Sequence, residues 1–395
     1  MFSYAQSTNV AKHIVFFGDT ILCPIDQSVS VQLQTPLSQT TLQNFYNTLN
    51  VGNYQPIIKA LKTYKQKYIL DDWLFYQLIR TVAEAISPKS SNYQQYTLYK
   101  WFLLAKCGYA TNIRIKNDKL LLYAQTDELI WAIPYYQVNG KQYVCLNYHD
   151  FGQIDFSKEQ FVSFSISVPE AQQVFSYKIN NIPDFKSDNY ALRELQFDFK
   201  QKAYHLKILL NQHVQKIFAN YPVVDYECYF NIPLSKKTYN SLMPLLKENI
   251  KKMDQKKGVD YLMHFTRNAF EFQTDTENFG KEKRLSPQQT LLYQQSDCEH
   301  RAALFFFLVK EIYNLPMIVL SYPEHITVAV QFGQPMANPI VYNGLNYWVC
   351  EPTPQQQDLR IGQMLPSLKN SKYDIVYAYQ PTSIAFKNTP IITQK

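Results

Sequence analysis

A Pro-Leu-Ser triplet that occurs twice most limits how this chain can fold. "TPLSQTTL" at 35–42 returns as "IPLSKKTY" at 232–239, a displacement of 233 − 36 = 197 residues. The same order of elements follows each copy. A helical stretch comes first (LDDWLFYQLIRTVAEA at 70–85, GVDYLMHFTRNAFEF at 258–272), then a polar loop with proline, then an apolar helix. Strands close the copies on KQYVCLN (141–147) and LNYWVCEP (345–352), where Cys145 and Cys350 lie 350 − 145 = 205 apart. Recurrence of this kind predicts a tandem duplication in which each copy is a helix-then-sheet unit.

Between the copies the pattern changes. Alternating apolar and polar residues in QFVSFSISV (160–168), LQFDFK (195–200) and VVDYECYFNI (223–232) predict strands, and AYHLKILLNQHVQKIFANY (203–221) reads as a helix. The expected organisation is therefore a first copy over 1–154, a β-rich connecting segment over 155–231 and a second copy over 232–395, in an α+β chain with antiparallel sheets. With 46% hydrophobic and 15% aromatic residues among 395, each part can bury a core.

Composition excludes several function classes. The net charge of +7 is spread along the chain, and its densest run, KENIKKMDQKK (247–257), reads as a helix end and turn without interleaved aromatics, which argues against nucleic acid as a partner. Only 10 glycines occur, and neither GxGxxG nor GxxxxGK[ST] is present, so nucleotide binding by those loops is out. No calcium-binding EF-hand loop is found, and no cofactor is expected. The longest apolar run, AALFFFLV at 302–309, falls short of the roughly 18–20 residues that span a bilayer. MFSYAQS at the start resembles the end of a trimmed secretory signal, which points to an exported protein, periplasmic or extracellular; a cytoplasmic location is the alternative. Six cysteines without a C-x-x-C pair suit neither a disulfide scaffold nor structural zinc.

One cysteine stands apart. In SDCEHRAALFFF (296–307), Ser296 and Asp297 are good N-caps, which puts Cys298 in the first turn of the helix that follows. Unpaired N–H groups and the helix dipole favour a thiolate there, although Asp297 and Glu299 oppose it. Downstream, PMIVLSYPEHITVAVQF (316–332) reads as two strands around a Tyr-Pro bend, with His325 opening the second. YWVCEPT (347–353) reads as a third strand ending at Glu351. Cysteine on a helix tip, histidine at a strand start and an acid on a neighbouring strand compose a thiol triad of nucleophile, base and orienter. Asp358 is a second-ranked acid for the last role.

DCEHRAALFFFLVKEIYNLPMIVLSYPEHITVAV…YWVCEPT, preceded by FTRNAFEFQTDTENFGKEKR (265–284), resembles the transglutaminase-like superfamily over about residues 232–380. The resemblance implies a papain-like core with Cys298 as nucleophile, His325 as base and Glu351 in the family's aspartate position. It implies a thiol-dependent amide hydrolase or acyltransferase acting on peptides or proteins, with water favoured as acceptor. The glutamate departs from the family's Cys-Asp-Pro. In the first copy, loop 87–98 has no cysteine, Glu128 is read in the place of His325 and Leu146 in that of Glu351. That copy is expected to be degenerate, so a non-catalytic scaffold of two such domains is the alternative. Among neighbouring residues, His300 is expected to face solvent, and a zinc site from Cys298, His300 and His325 lacks a fourth ligand. Cys107, Cys145 and Cys350 are expected in the core, Tyr322 along the cleft, and Lys281, Lys283 and Arg284 in a solvated loop or against an acidic substrate.

Overall fold

The computed structural model describes residues 10–381 apart from 153, 155, 157, 184–188, 281 and 282. The segment MFSYAQS, read as an export signal, and Lys281 lie outside the described residues. The chain divides into two compact units, residues 1–193 with 207–242 and residues 194–206 with 243–395. Most of the expected connecting segment thus falls with the first unit.

The first unit opens with a hairpin of β1 (Val10–Phe16) and β2 (Asp19–Ile25), followed by helices α1 (Gln39–Val51), α2 (Gln55–Tyr68), α3 (Asp72–Ile86) and α4 (Tyr93–Lys106). Strands β3 (Thr111–Lys116), β4 (Lys119–Gln125), β5 (Ile130–Trp131), β6 (Tyr135–Val138), β7 (Lys141–Cys145) and β8 (Val162–Phe164) come next. All but β5 form an antiparallel sheet in the order β6-β7-β4-β3-β8. A hairpin of β9 (Tyr190–Phe199) and β10 (Lys202–Asn211), whose residues 194–206 belong to the second unit, is followed by α5 (Val214–Ile217), β11 (Val223–Val224), α6 (Tyr226–Phe230) and α7 (Lys236–Ile250), the last of which passes into the second unit at Met243.

The second unit continues with α8 (Gln255–Asn268), β12 (Glu271–Phe272), α9 (Asp275–Phe279), α10 (Pro287–Leu292), β13 (Gln295–Ser296) and α11 (Cys298–Tyr313). Strands β14 (Met317–Tyr322), β15 (His325–Val330), β16 (Ile340–Tyr342), β17 (Leu345–Cys350) and β18 (Asp374–Tyr379) follow. They form a second antiparallel sheet in the order β16-β17-β15-β14-β18. The two strand orders are the same when read along the chain, and α4 packs on β3 and β4 as α11 packs on β15. Both helices are buried nearly all round, Gln95–Lys106 in α4 and His300–Val309 in α11, which explains why neither shows a strong apolar stripe.

A constant offset relates the two units. The N-caps Asn92 and Asp297 differ by 297 − 92 = 205, and the pairs Tyr123↔Cys145 and Val328↔Cys350 differ by 205 at both members. Tyr93, Leu120 and Leu146 therefore stand where Cys298, His325 and Glu351 stand. This corrects the reading of Glu128 as the histidine's counterpart. Glu128 lies beyond β4, where its carboxylate accepts from Ser176 Oγ and the Tyr177 N–H, both at 2.5 Å.

Two local readings are also overturned. Within 203–221 the first part, to Asn211, is strand, because Leu206, Ile208 and Leu210 are buried at every second position, and only Val214–Ile217 is helical. In 223–232 only two residues are strand; Asp225 caps α6 by accepting from Cys228 N at 2.7 Å, which turns the segment helical.

Candidate active site at the start of α11

Asp297 places Cys298. Its carboxylate accepts the His300 N–H at 3.1 Å, so the helix starts at the cysteine. Arg301, wholly buried one turn on, fixes the approach to this turn by donating to the carbonyls of Ser296, Thr266, Arg267 and Phe270. Of the six free cysteines, Cys298 alone is partly open to solvent.

A two-residue turn, Pro323–Glu324, brings β15 back along β14 with Tyr322 opposite His325. The register Val328↔Cys350, continued one residue past β17, sets Glu351 opposite Thr327. His325 and Thr327 lie on one face, so Glu351 is a diagonal neighbour of His325, within reach of a long side chain. Glu351 Oε2 is 2.8 Å from His325 Nε2, and Oε1 accepts the Thr353 N–H at 2.9 Å. The glutamate is 2% exposed, which rules out a solvated strand-end residue. Arg267, also buried, donates to the Glu351 carbonyl through Nε (3.2 Å) and Nη2 (2.5 Å).

Cys298 meets this strand through its sulfur, which accepts from the Ile326 N–H, one residue beyond the imidazole. The sulfur and the His325 ring share no hydrogen bond among the described residues. Nδ1 of His325 is likewise without a partner there, the other nitrogen being held by Glu351. The thiol is pushed up to about 12, first by burial and then by the Asp297 charge, with Glu299 and Glu351 adding to it and the Ile326 N–H opposing. The resting sulfur is therefore a neutral thiol, contrary to the expectation from the helix dipole. Glu299 is itself bound by Arg284 Nε at 3.0 Å, which leaves Asp297 as the carboxylate that acts most on the sulfur. Asp297→Asn keeps a good cap and removes that charge. Iodoacetamide labelling of Cys298 at pH 8 should become several-fold faster in this variant, and an unchanged rate would show that Asp297 does not govern the thiol.

Other expected positions are corrected. His300 is buried, not solvent-facing. Its Nε2 lies 2.7 Å from the Lys283 carbonyl and its Nδ1 3.1 Å from Asp297 Oδ1, and burial pushes its pKa down to about 4. Cys298, His300 and His325 do not gather around a common point. Among the described residues the group close enough to share a cation is Asp275, Asp297 and His300, whose atoms already serve as cap and loop anchors. Asp358 meets Arg267 and His264, not His325. Tyr322 is buried in the sheet core beside Ile318 and Leu320, its hydroxyl 3.7 Å from Met364 Sδ, and so does not line a cleft. Lys283 Nζ lies over the Phe279 and Tyr293 rings. Cys107, Cys145 and Cys350 are buried.

Sequence reasoning missed Arg267, Arg301 and Thr353. Two arginines at helical positions facing a run of apolar residues were the one signal that could have pointed to them. No family model, curated protein or solved structure matches the chain. Among the described residues no helix is long and apolar enough to cross a membrane.

Proposed function

We propose that the second unit is a transglutaminase-like thiol enzyme that cleaves or transfers amide acyl groups of peptides or proteins, with Cys298 as nucleophile, His325 as base and Glu351 as orienter. The observation that carries this reading is the buried Glu351 carboxylate on His325 Nε2, with the Cys298 sulfur at the next residue's N–H. A carboxylate has little reason to be buried against a strand-end imidazole unless it fixes that ring's tautomer and stabilises its cation.

With the Glu351 carboxylate accepting the hydrogen bond from Nε2–H, Nδ1 keeps its lone pair. It removes the Cys298 proton as sulfur attacks the carbonyl carbon, and the oxyanion is met by the first-turn N–H of α11. Collapse breaks the C–N bond, and the imidazolium returns its proton to the leaving amine. Water then gives a proton to His325 and its hydroxide to the thioester, which releases a carboxylic acid and restores the thiol. An amine in place of water gives transamidation; water is the acceptor favoured here. Because the resting thiol is neutral, the base acts during attack and no preformed ion pair is required.

Cys298→Ala should abolish hydrolysis of a peptide library, and His325→Ala should slow alkylation of Cys298 at pH 7 by about a hundredfold. Full hydrolysis by Cys298→Ala would sink the assignment. The alternative of a non-catalytic scaffold is favoured by the raised thiol and by Tyr93, Leu120 and Leu146 in the first unit. It requires alkylation of Cys298 to be indifferent to His325.

A further inference from the structure

The first unit holds a cavity of about 780 Å³. Tyr123, Tyr135, Tyr148, Phe156 and Phe161 line it, together with Arg114. That volume lies within the range of small-molecule sites, and the wall mixes aromatic rings with polar groups, Glu159 and Gln160 besides Arg114. Two of its rings are left in water, Tyr135 at 58% and Phe156 at 37% exposure, and Trp131, next to the lining residue Ala132, is 46% exposed. Large rings gathered around one opening mark a place where something apolar is received.

Charge narrows the choice. Glu159, also in the lining, is taken by Lys119 Nζ at 2.7 Å on both oxygens and so contributes no net charge. Arg114 has no carboxylate within ion-pair distance among the described residues. Its Nη2 donates to the Phe161 carbonyl at 2.8 Å, its Cζ lies 4.8 Å from the centroid of the Tyr136 ring, and its buried Nε has no hydrogen-bond partner. A guanidinium placed over an aromatic ring, without a counter-ion among the described residues and at the wall of a cavity rich in aromatics, suits a planar carboxylate.

We infer that this cavity binds a flat apolar group that carries a carboxylate, as a free aromatic acid or as the C-terminal aromatic residue of a peptide. The ring lies among Tyr135, Tyr148 and Phe156, and the carboxylate faces Arg114. The inference does not rest on the thiol chemistry.

Calorimetry on the full chain tests this with N-acetylphenylalanine, its amide, and a hexapeptide ending in phenylalanine. The acid should bind at least about tenfold more tightly than the amide, and Arg114→Met should remove that preference. Phe156→Ser, at an exposed ring, should weaken both ligands and serves if Arg114→Met does not fold. Tighter binding of the hexapeptide than of the small acid assigns the site to peptide ends, and the reverse assigns it to free acids. Equal binding of acid and amide, no heat from any of the three, or binding of a neutral oligosaccharide in their place would overturn the inference.

Discussion

Glu351→Gln should lower kcat/KM for amide hydrolysis by about 10³–10⁴-fold with the fold intact. The loss follows from the two bonds its carboxylate makes. Oε1 accepts the Thr353 N–H, which a glutamine carbonyl can also do. The other atom, 2.8 Å from His325 Nε2, then becomes an NH₂ group. An N–H donor there demands a lone pair on Nε2, so the ring's proton moves to Nδ1, the nitrogen needed as base. The variant loses the base and also the charge that stabilises the imidazolium. Glu351→Asp keeps the charge but withdraws the carboxylate by about one bond length, so it cannot hold His325 and the Thr353 N–H together. Because a displacement of about 1 Å can cost up to 10²-fold, this variant should fall between wild type and Gln. Peptide hydrolysis by the three proteins, with thermal melts to check folding, orders them. Near-wild-type activity in the Gln variant would reduce Glu351 to a packing residue.

The part of this arrangement that can be read from the sequence is the part set by local rules. A cap before Cys298, two strands around Pro323 and a third ending at Glu351 are each decided within about ten residues, so their order and spacing are visible. The place of His300 is not, because its burial depends on the Lys283 carbonyl, 17 residues upstream, and on the Asp275 carboxylate 3.5 Å from its ring. Tyr322 escapes for another reason: sheet register, not neighbouring sequence, decides which face of β14 it occupies. The assignment of Glu128 to the histidine's place fails on related grounds. In the first unit the residue that answers to His325 is Leu120, second in β4, an apolar residue that carries no catalytic signal. Residues 203–221 mislead because Leu206, Ile208 and Leu210, strand-periodic and buried, are joined to a second apolar set in α5. The two together imitate a long amphipathic helix.

The first unit's counterpart of the thiol site contains the second large effect. Tyr93 donates its hydroxyl to Asp150 at 2.9 Å and accepts from Asn147 at 2.7 Å. Beneath its ring, 5.5 Å away, lies the Nζ of Lys100, fully buried and with no hydrogen-bond partner. Burial, then Arg80, pushes the lysine's pKa down from 10.5 to about 7. Asp150, the nearby carboxylate, is already bound by Lys89 at 2.5 Å and does not restore the charge. A lysine with a lowered folded pKa costs stability wherever it is charged in the unfolded chain, and stability rises with pH wherever the unfolded chain binds more protons than the folded one. Stability should therefore rise with pH between about 7 and 10.5, and below 7 the penalty is complete and constant. Since each tenfold change in proton affinity is worth about 1.4 kcal/mol, the penalty near neutrality is on the order of 4 kcal/mol. The Tyr96 ring, 4.4 Å from Nζ, offsets about a quarter to a half of that as a cation–π contact. Lys100→Met fills nearly the same volume without an amine. It should stabilise the first unit by about 2–3 kcal/mol at pH 7 and remove the rise above it, because replacing a poorly compensated buried ion by an apolar side chain is often stabilising. Thermal or urea unfolding of the full chain at pH 6.5, 8 and 9.5, followed through the first unit's tryptophans, measures both effects. A Met variant that is less stable than wild type at every pH would mean that Tyr93 and Tyr96 hold Lys100 as a favourable cation. The first unit would then be keeping a charge beneath the position where the second unit keeps its thiol.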